Sequence, residues 1–292
     1  MNAIAPADTA LVLCADDYAL HADVNAAILR LARAQRLSAT SVMALSPRWA
    51  QDASALREVG SLIDVGLHLD WTSEWAQAAG WGGSVGAMML RSSTVGLRAS
   101  AVHAQVRAVL HRQFDAFEAH WQRAPDHVDG HQHVHQFALL REPLLAVLQE
   151  RYGDGPVQRR PWLRVSQVAQ AGLKARVISA FGASPLQRQA KRLSWPCIGP
   201  LVGVYDFDAR EGVYAQHMAQ WLQQLPASAL MMCHPAQATG DTDSAIQADP
   251  IHAARLREGA YLQSEAFADA LNEAKVRLVR GSTWLASARA TA

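Results

Sequence analysis

The sequence predicts an α/β protein built around a parallel β-sheet. Short apolar runs, typical of buried strands, alternate along the chain with segments whose apolar residues recur every three to four positions, as in helices. Such alternation favours right-handed βαβ units. The chain has 292 residues, of which 50% are hydrophobic, so it can bury a sizeable core. Because no repeat, low-complexity tract or obvious linker interrupts the pattern, we expect a single domain over residues 1–292.

The predicted elements follow one another in a regular order. An apolar strand at 11–15 ends at two aspartates, and the helix after it has Val24, Ile28 and Leu31 at helical spacing. Residues 70–94, rich in Trp and Gly, are predicted to form a loop. The predicted strands are 11–15, 40–45, 62–69, 125–129, 162–165, 227–233 and 276–279, and the predicted helices are 22–36, 48–59, 100–122, 137–151 and 251–274.

Composition and charge argue against several classes of protein. The formal net charge is +1 and no basic block stands out, which disfavours nucleic acid or an anionic membrane as a partner. No apolar run approaches the ~18 residues of a membrane span, and residues 1–10 lack the signal-peptide pattern. Cys14, Cys197 and Cys233 are widely spaced without a CxxC pair, which argues against a disulfide framework. We therefore expect a cytoplasmic protein.

A histidine motif occupies residues 127–135, which read His-Val-Asp-Gly-His-Gln-His-Val-His and hold four of the twelve histidines. Imidazole is the commonest protein ligand for divalent metals, and a carboxylate can fix its orientation. His131 and His133 alternate as on a strand, whereas His131 and His135 lie four apart, so not all four histidines can bind one metal ion. The motif predicts part of a metal site, with Asp129 orienting His131.

Further polar residues lie at the ends of predicted strands. These are the pair Asp16 and Asp17, then His68, His131 and His234. In parallel α/β folds the carboxyl ends of the strands converge on one face, where active sites are built. We therefore expect these residues to meet in space.

Each of these residues also has a purely structural interpretation. Asp16 and Asp17 could cap a helix, or Asp17 could bind a metal ion and leave Asp16 free to accept a proton from water. His68 could be a hydrogen-bonded core residue or a ligand. His234 could cap a strand or act as a general acid, since its ordinary pKa of ~6.5 suits proton donation near neutral pH.

Two further features leave alternatives open. Arg164 could pair with Asp16 and keep it ionised, or form a surface ion pair. Trp71, Trp75 and Trp81 could pack in the core or form a platform on which a sugar stacks.

One aspartate and two histidines, with no thiolate, form a hard-to-borderline ligand set. It suits Zn²⁺ or Mg²⁺ best, with Mn²⁺ and Co²⁺ as alternatives. Three protein ligands leave coordination positions open, as in catalytic sites that activate water. The set therefore predicts a hydrolase with one divalent metal ion.

Four segments together resemble the YdjC-like carbohydrate deacetylases, which include chito-oligosaccharide and hopanoid-biosynthesis-associated deacetylases. They are Ala-Asp-Asp-Tyr at 15–18, Gly-Leu-His-Leu at 66–69, the histidine motif and Cys-His-Pro at 233–235, matching in order and spacing over residues 11–236. The resemblance implies a distorted (β/α) barrel related to other polysaccharide deacetylases. It also implies hydrolysis of an N-acetyl group from an acetylated amino sugar, in an oligosaccharide or a glycolipid.

The resemblance also implies roles for individual residues. Asp17, His68 and His131 would hold the metal ion. Asp16 would be the general base, and His234 the acid that protonates the departing amine. The remaining motif histidines, His133 and His135, would support the ligands or face the substrate.

The loop after the paired aspartates departs from the family pattern. Phe-Gly-Leu-Ser is usual there, and this chain has Tyr18-Ala-Leu-His21. Ala19 stands where glycine tolerates a positive φ, and Tyr18 and His21 would bring new polar groups near the metal loop. Residues 237–292, predicted to form a C-terminal helix and a last strand, match weakly and are expected to shape the cleft or an interface.

Other functions stay open at this point. The same site could hydrolyse another amide, an ester or a phosphoester, or the chain could be a catalytically silent metal- or sugar-binding protein. The presence of Asp16 argues against a silent protein, because a purely structural site needs no spare base beside its ligand. Nucleic-acid binding is disfavoured by charge, and the apolar C-terminal helix is compatible with a homodimer.

Overall fold

The computed structural model describes residues 9–94, 99–169 and 173–290, and its centre is one sheet of parallel strands. The strands are β1 (Thr9–Tyr18), β2 (Ala39–Val42), β3 (Asp64–Leu69), β4 (His127–Gly130), β5 (Trp162–Arg164), β6 (Cys197–Ile198), β7 (Leu201–Val202), β8 (Ser228–Cys233) and β9 (Val276–Leu278). Their order in the sheet is β6-β5-β4-β3-β2-β1-β8-β7, with β9 beside the start of β1. This confirms the predicted α/β class.

The two edges of the sheet are joined by one short segment. Only Gly199 and Pro200 separate β6 from β7, yet β6 pairs with β5 and β7 pairs with β8. A further parallel bridge links Val168, just after β5, to Leu201. The strands therefore curl around a common interior, which confirms the distorted (β/α) barrel.

Helices cover the outside of the barrel. They are α1 (Ala22–Arg33), α2 (Trp49–Val59), α3 (Glu74–Ala78), α4 (Val85–Ser93), α5 (Ala99–Trp121), α6 (Ala138–Tyr152), α7 (Leu173–Ala180), α8 (Ala183–Arg192), α9 (Val213–Gln223), α10 (Ser244–Ala248), α11 (His252–Gln263), α12 (Glu265–Glu273) and α13 (Gly281–Ala290). Because helices pack over the sheet, β3 is buried throughout and β1 is buried from Leu11 onward, and the middle of each strand is a continuous apolar run rather than an alternating pattern. Trp49 of α2 stacks on Phe117 of α5 at 5.7 Å between ring centroids.

The structure corrects three predictions about elements. Residues 70–94 are not a loop, because they hold α3 and α4, each begun by a serine side chain that accepts a backbone N–H. The helix predicted at 251–274 is divided at Ser264, whose extended backbone (φ −79°, ψ 159°) ends α11 and begins α12. The predictions also lacked β6 and β7, because a strand of two residues is too short to show a repeating pattern of apolar residues.

No helix within the described ranges is long and apolar enough to cross a membrane. Of the first ten residues, for which no signal-peptide pattern was found, residues 1–8 lie outside the described part of the chain.

Gly66 in β3 allows the imidazole of His127, on the neighbouring strand β4, to lie against the backbone of β3. A Cβ at this position would overlap the imidazole of His127, which is stacked on Trp162 at 4.2 Å. We expect Gly66→Ala to lower the free energy of unfolding by about 1–3 kcal/mol through overpacking, as measured by urea titration. Gly86→Ala, on the exposed side of α4 where a Cβ meets open space, is the matched control and should cost nothing. Equal stability of the two variants would contradict this account.

Candidate active site

The predicted strand-end residues meet at one end of the barrel. Asp16, Asp17, His68, His131 and His234 all line a cleft of about 880 Å³. They come from the ends of β1 and β3 and from the turns that follow β4 and β8. The convergence expected from the sequence is therefore present.

A break in strand regularity brings two adjacent aspartates into the same cleft. Side chains normally alternate between the faces of a strand, so Asp16 and Asp17 would point in opposite directions. The pairing of β1 with β2 shifts register between Ala15 and Tyr18, and Asp17 has φ 71°. Such bulges re-aim side chains beside active sites.

Asp17, His68 and His131 form a compact set of ligand atoms. Asp17 Oδ1 lies 3.3 Å from His68 Nε2 and 3.2 Å from His131 Nδ1. With metal–ligand bonds of ~2.05 Å, neighbouring ligands stand about 2.9 Å apart at right angles and about 3.3 Å apart at tetrahedral angles. Both distances are those expected between ligands of one ion, and the three ligand atoms all lie within 4.8 Å of one another.

The charges around this set also fit a divalent cation. Four buried carboxylates, those of Asp16, Asp17, Asp129 and Asp249, face two guanidinium groups, those of Arg164 and Arg255, which leaves two negative charges in excess. Burying uncompensated charge is costly. One Zn²⁺, Mg²⁺, Mn²⁺ or Co²⁺ would balance the cluster if it displaced the proton of His68 and left the histidines neutral.

His68 is oriented by a carboxylate on the neighbouring strand. Asp129 Oδ1 accepts a hydrogen bond from His68 Nδ1 at 2.6 Å, which leaves Nε2 to face Asp17. Burial alone would lower the pKa of His68, but Asp129 and Asp17 outweigh it and raise this pKa to about 10. The surrounding carboxylates thus stabilise positive charge at this position.

The structure corrects the prediction that Asp129 orients His131. His68 and Asp129 are paired in the β3–β4 register, and His131 lies beyond the strand end.

Asp16 is held by a buried guanidinium. Arg164 donates two hydrogen bonds to its carboxylate, at 2.6 and 2.7 Å, and a third nitrogen–oxygen contact of 2.6 Å joins Arg164 to Asp129. Burial would raise the pKa of Asp16, but Arg164 outweighs burial and lowers this pKa below its usual value. Asp16 is therefore ionised at neutral pH, and of the two alternatives for Arg164 the structure has the pairing with Asp16.

The histidine motif turns sharply after β4. Residues His131–Gln136 form a 3₁₀ turn in which Gln132 and His133 have φ of 52° and 61°. His133 lines the cleft, with Nδ1 3.1 Å from Ser166 Oγ, whereas His135 is buried with Nε2 3.0 Å from the carbonyl oxygen of Arg164. Burial lowers the pKa of His133 to about 3 and that of His135 to about 4, so both are neutral.

His234 follows β8 and faces Asp16 across the cleft. Its Nε2 lies 3.8 Å from Asp16 Oδ2, and its backbone N–H donates to Glu258 at 2.6 Å. Burial lowers the pKa of His234 to about 4, so its ring is neutral near pH 7.

A comparison with known sequence families covers most of the chain. The sequence model described as "YdjC-like protein" matches residues 10–273. The chain belongs to the YdjC-like family.

Two relatives of this YdjC-like chain illustrate the range of similarity. A chitooligosaccharide deacetylase from Serratia marcescens is 27% identical over 234 residues, covering 77% of this chain and 81% of the relative. A crystal structure of a candidate cellobiose-phosphate cleavage protein from Enterococcus faecalis V583 superposes with a TM-score of 0.69 at 18% identity, covering 95% of this chain and 99% of that one. The second likeness concerns the fold alone.

The YdjC-like loop after the aspartates keeps its shape despite the altered sequence. Ala19 has φ 73°, the conformation that glycine would adopt most easily, and its N–H donates to Asn25. Tyr18 does not approach the metal ligands, because its hydroxyl donates to the carbonyl of Asp52. His21 takes the place of the usual serine as N-cap of α1, accepting the N–H of Val24.

Trp71 does not lie at the cleft. It is 2% exposed and packs in the core, whereas Trp75 lines the cleft. Trp71 is therefore not available to stack on a sugar in the cleft, as the sequence analysis considered. Trp75, in α3, is the tryptophan that lines the cleft.

Several residues that support the site were not predicted from the sequence, above all Arg255, Asp249 and Glu258. They lie in the C-terminal region, outside the four segments that resemble the family. One signal was present: Arg255 and Glu258 share a face of α11 with Leu262, so charged groups occupy a stripe that should be apolar. Such groups need buried partners.

Glu258 makes stability depend on pH. It is fully buried, and burial raises its pKa to about 7. Because the folded protein binds this proton more tightly than the unfolded chain, the contribution is present below about pH 4.5 and is lost as pH rises through 7. We expect the wild type to lose about 2–3 kcal/mol more than Glu258→Gln between pH 5 and 8, measured by urea unfolding. Parallel pH profiles for the two proteins would contradict the assignment.

Proposed function

We propose that this YdjC-like protein is a metal-dependent hydrolase that removes the N-acetyl group from an acetylated amino sugar, an oligosaccharide or a glycolipid. One observation carries the proposal. Asp16, ionised and fixed by Arg164, stands next to the three-ligand set of Asp17, His68 and His131 without belonging to it. A spare base beside an incomplete coordination shell is what hydrolysis of an amide needs. The Serratia marcescens relative supports the acetylated sugar as substrate.

The metal ion would supply one part of the chemistry. Held by Asp17, His68 and His131, it would polarise the acetyl carbonyl and make the attacking water more acidic. Zn²⁺ or Mg²⁺ is the proposed ion, with Mn²⁺ and Co²⁺ as alternatives. Asp129 keeps the Nδ1 proton of His68 engaged, so that the lone pair of Nε2 would be available to the ion.

Asp16 acts as the general base. Its carboxylate accepts a proton from water while Arg164 holds both of its oxygens in place. The same guanidinium contacts Asp129, the carboxylate that orients His68, so Arg164 links the general base to the support of a metal ligand. A fixed base lowers the reorganisation needed as the tetrahedral species forms.

His234 delivers the proton to the leaving amine. Because it is neutral near pH 7, it does not begin the reaction with a proton to give. Its Nε2 lies 3.8 Å from Asp16 Oδ2, longer than a hydrogen bond, so the proton that Asp16 takes from water passes to His234 through one intervening water. His234 then protonates the nitrogen as the C–N bond breaks, and acetate and the free amine leave. His133, at the cleft wall, is proposed to contact substrate, whereas His135 supports the turn from below.

The same residues could hydrolyse another amide, an ester or a phosphoester. The relative named as a deacetylase favours the acetamide.

We also propose a reducing, cytoplasmic location for the protein. Its three cysteines are free, and two of them are buried.

Acetate release tests the proposal. The protein is stripped of metal, reconstituted with each candidate ion, and assayed on N-acetylglucosamine, chitobiose, and acetylated glycolipid and nucleotide-sugar analogues. Release that depends on added metal is the expected result. Tight metal binding without release from any member would contradict the deacetylase and favour another scissile bond or a silent binding protein.

A further inference from the structure

The carboxylate of Asp17 is divided between two tasks. Its Oδ1 faces His68 and His131, at 3.3 and 3.2 Å. Its Oδ2 accepts a hydrogen bond of 2.7 Å from Arg255 Nη2. Arg255 lies 238 positions further along the chain, in α11, and is 3% exposed. The orientation of Asp17 is thus coupled to the C-terminal region.

Arg255 is itself fixed from the other side. Its Nε donates to Asp249 Oδ2 at 2.7 Å, and that oxygen also lies 3.2 Å from His21 Nε2. His21 Nδ1 accepts the N–H of Val24, so Nε2 carries the proton and donates to Asp249. A planar guanidinium held at two of its nitrogens has a defined position.

We infer that Arg255 is a positioning residue, which holds Asp17 Oδ2 so that Oδ1 stays directed at the metal site, and that Asp249 and His21 hold Arg255 in turn. This inference rests on the metal ligands of the proposed function. It assigns a task to a segment outside the sequence motifs: Asp249 and Arg255 line the same cleft as the proposed ligands, and Arg255 binds Asp17 through Oδ2, the oxygen that does not face His68 and His131. It also explains why a histidine serves at the N-cap of α1, where serine could cap but could not reach Asp249.

Electrostatics and positioning predict opposite results for the loss of Arg255. If Arg255 were only a counter-charge, its removal would leave the site more negative, and a divalent cation would bind more tightly. If Arg255 positions Asp17, its removal frees the carboxylate to turn, and the cation binds more weakly. Groups that orient metal ligands typically contribute 10–100-fold to metal affinity. The sign of the change therefore separates the two roles.

The experiment is a Co²⁺ titration of the full-length, metal-stripped protein, followed by visible absorption. We expect Arg255→Ala to raise the Kd about 10–100-fold and to change the Co²⁺ spectrum. Arg255→Lys keeps the charge but not the two-sided hydrogen bonding, and should be intermediate. Asp249→Asn should shift the Kd in the same direction without touching Asp17. Arg151→Ala, which removes another arginine paired with two carboxylates far from the cleft, should leave the Kd unchanged.

Each failure has a distinct signature. Tighter or unchanged Co²⁺ binding by folded Arg255→Ala would overturn the inference while leaving the proposed metal site intact. Absence of Co²⁺ binding by the wild type would instead overturn the ligand assignment. If Arg255→Ala does not fold, Arg255→Lys decides the matter, because it keeps the charge and loses only the two-sided hydrogen bonding, and unaltered Co²⁺ affinity of this variant would refute the role.

Discussion

Asp16→Asn is expected to abolish most turnover while leaving the metal content unchanged. Asparagine preserves the shape of the side chain but cannot accept a proton from water, and general-base catalysis typically contributes 10²–10⁴-fold. We therefore expect kcat to fall about 10³-fold, measured as acetate release at saturating metal. Arg164 keeps its 2.6 Å contact with Asp129, so the substitution does not leave the guanidinium without a partner.

Asp64→Asn is the matched control for Asp16→Asn. Asp64 is also buried and paired with an arginine, Arg280, but it lies at the start of β3, the opposite end of the barrel from His68. Its loss should reduce stability and leave kcat unchanged. If Asp16→Asn turned over substrate at the wild-type rate, Asp16 would have no role as base.

His131→Ala is expected to lose the metal ion. Of the three proposed ligands His131 gives the clearest test, because its side chain is 22% exposed and its removal leaves no buried charge without a partner. Removing Asp17, by contrast, would leave Arg255 without one of its partners. Since groups that merely orient ligands contribute 10–100-fold, loss of a ligand should raise the metal Kd by at least about 100-fold. Competition with a chelator measures the change.

His133→Ala serves as the comparison within the same motif. His133 is two positions from His131 and lines the same cleft, but it contacts Ser166 rather than the ligand set. It should retain the metal and alter the Michaelis constant instead. Equal metal affinity of the two variants would place the coordination site elsewhere.

The sequence by itself determined the architecture and the location of the chemistry. Alternating apolar runs and helical spacings predict a parallel sheet, and parallel strands place their carboxyl ends on one face. Asp16, Asp17, His68, His131 and His234 could therefore be named as residues of one site before any coordinates. The closing strands β6 and β7 could not, because two residues show no periodicity.

Only the tertiary structure decided how the site is supported. Whether Asp129 serves His68 or His131 depends on the register between β3 and β4, which spacing along the chain does not encode. The shared direction of Asp16 and Asp17 depends on the register shift in β1.

The contact between Arg255 and Asp17 joins residues from opposite ends of the chain. A hydrogen bond between distant residues is fixed by packing of the whole barrel. Local sequence specifies which donors and acceptors are available, but only the closed fold brings them to 2.7 Å.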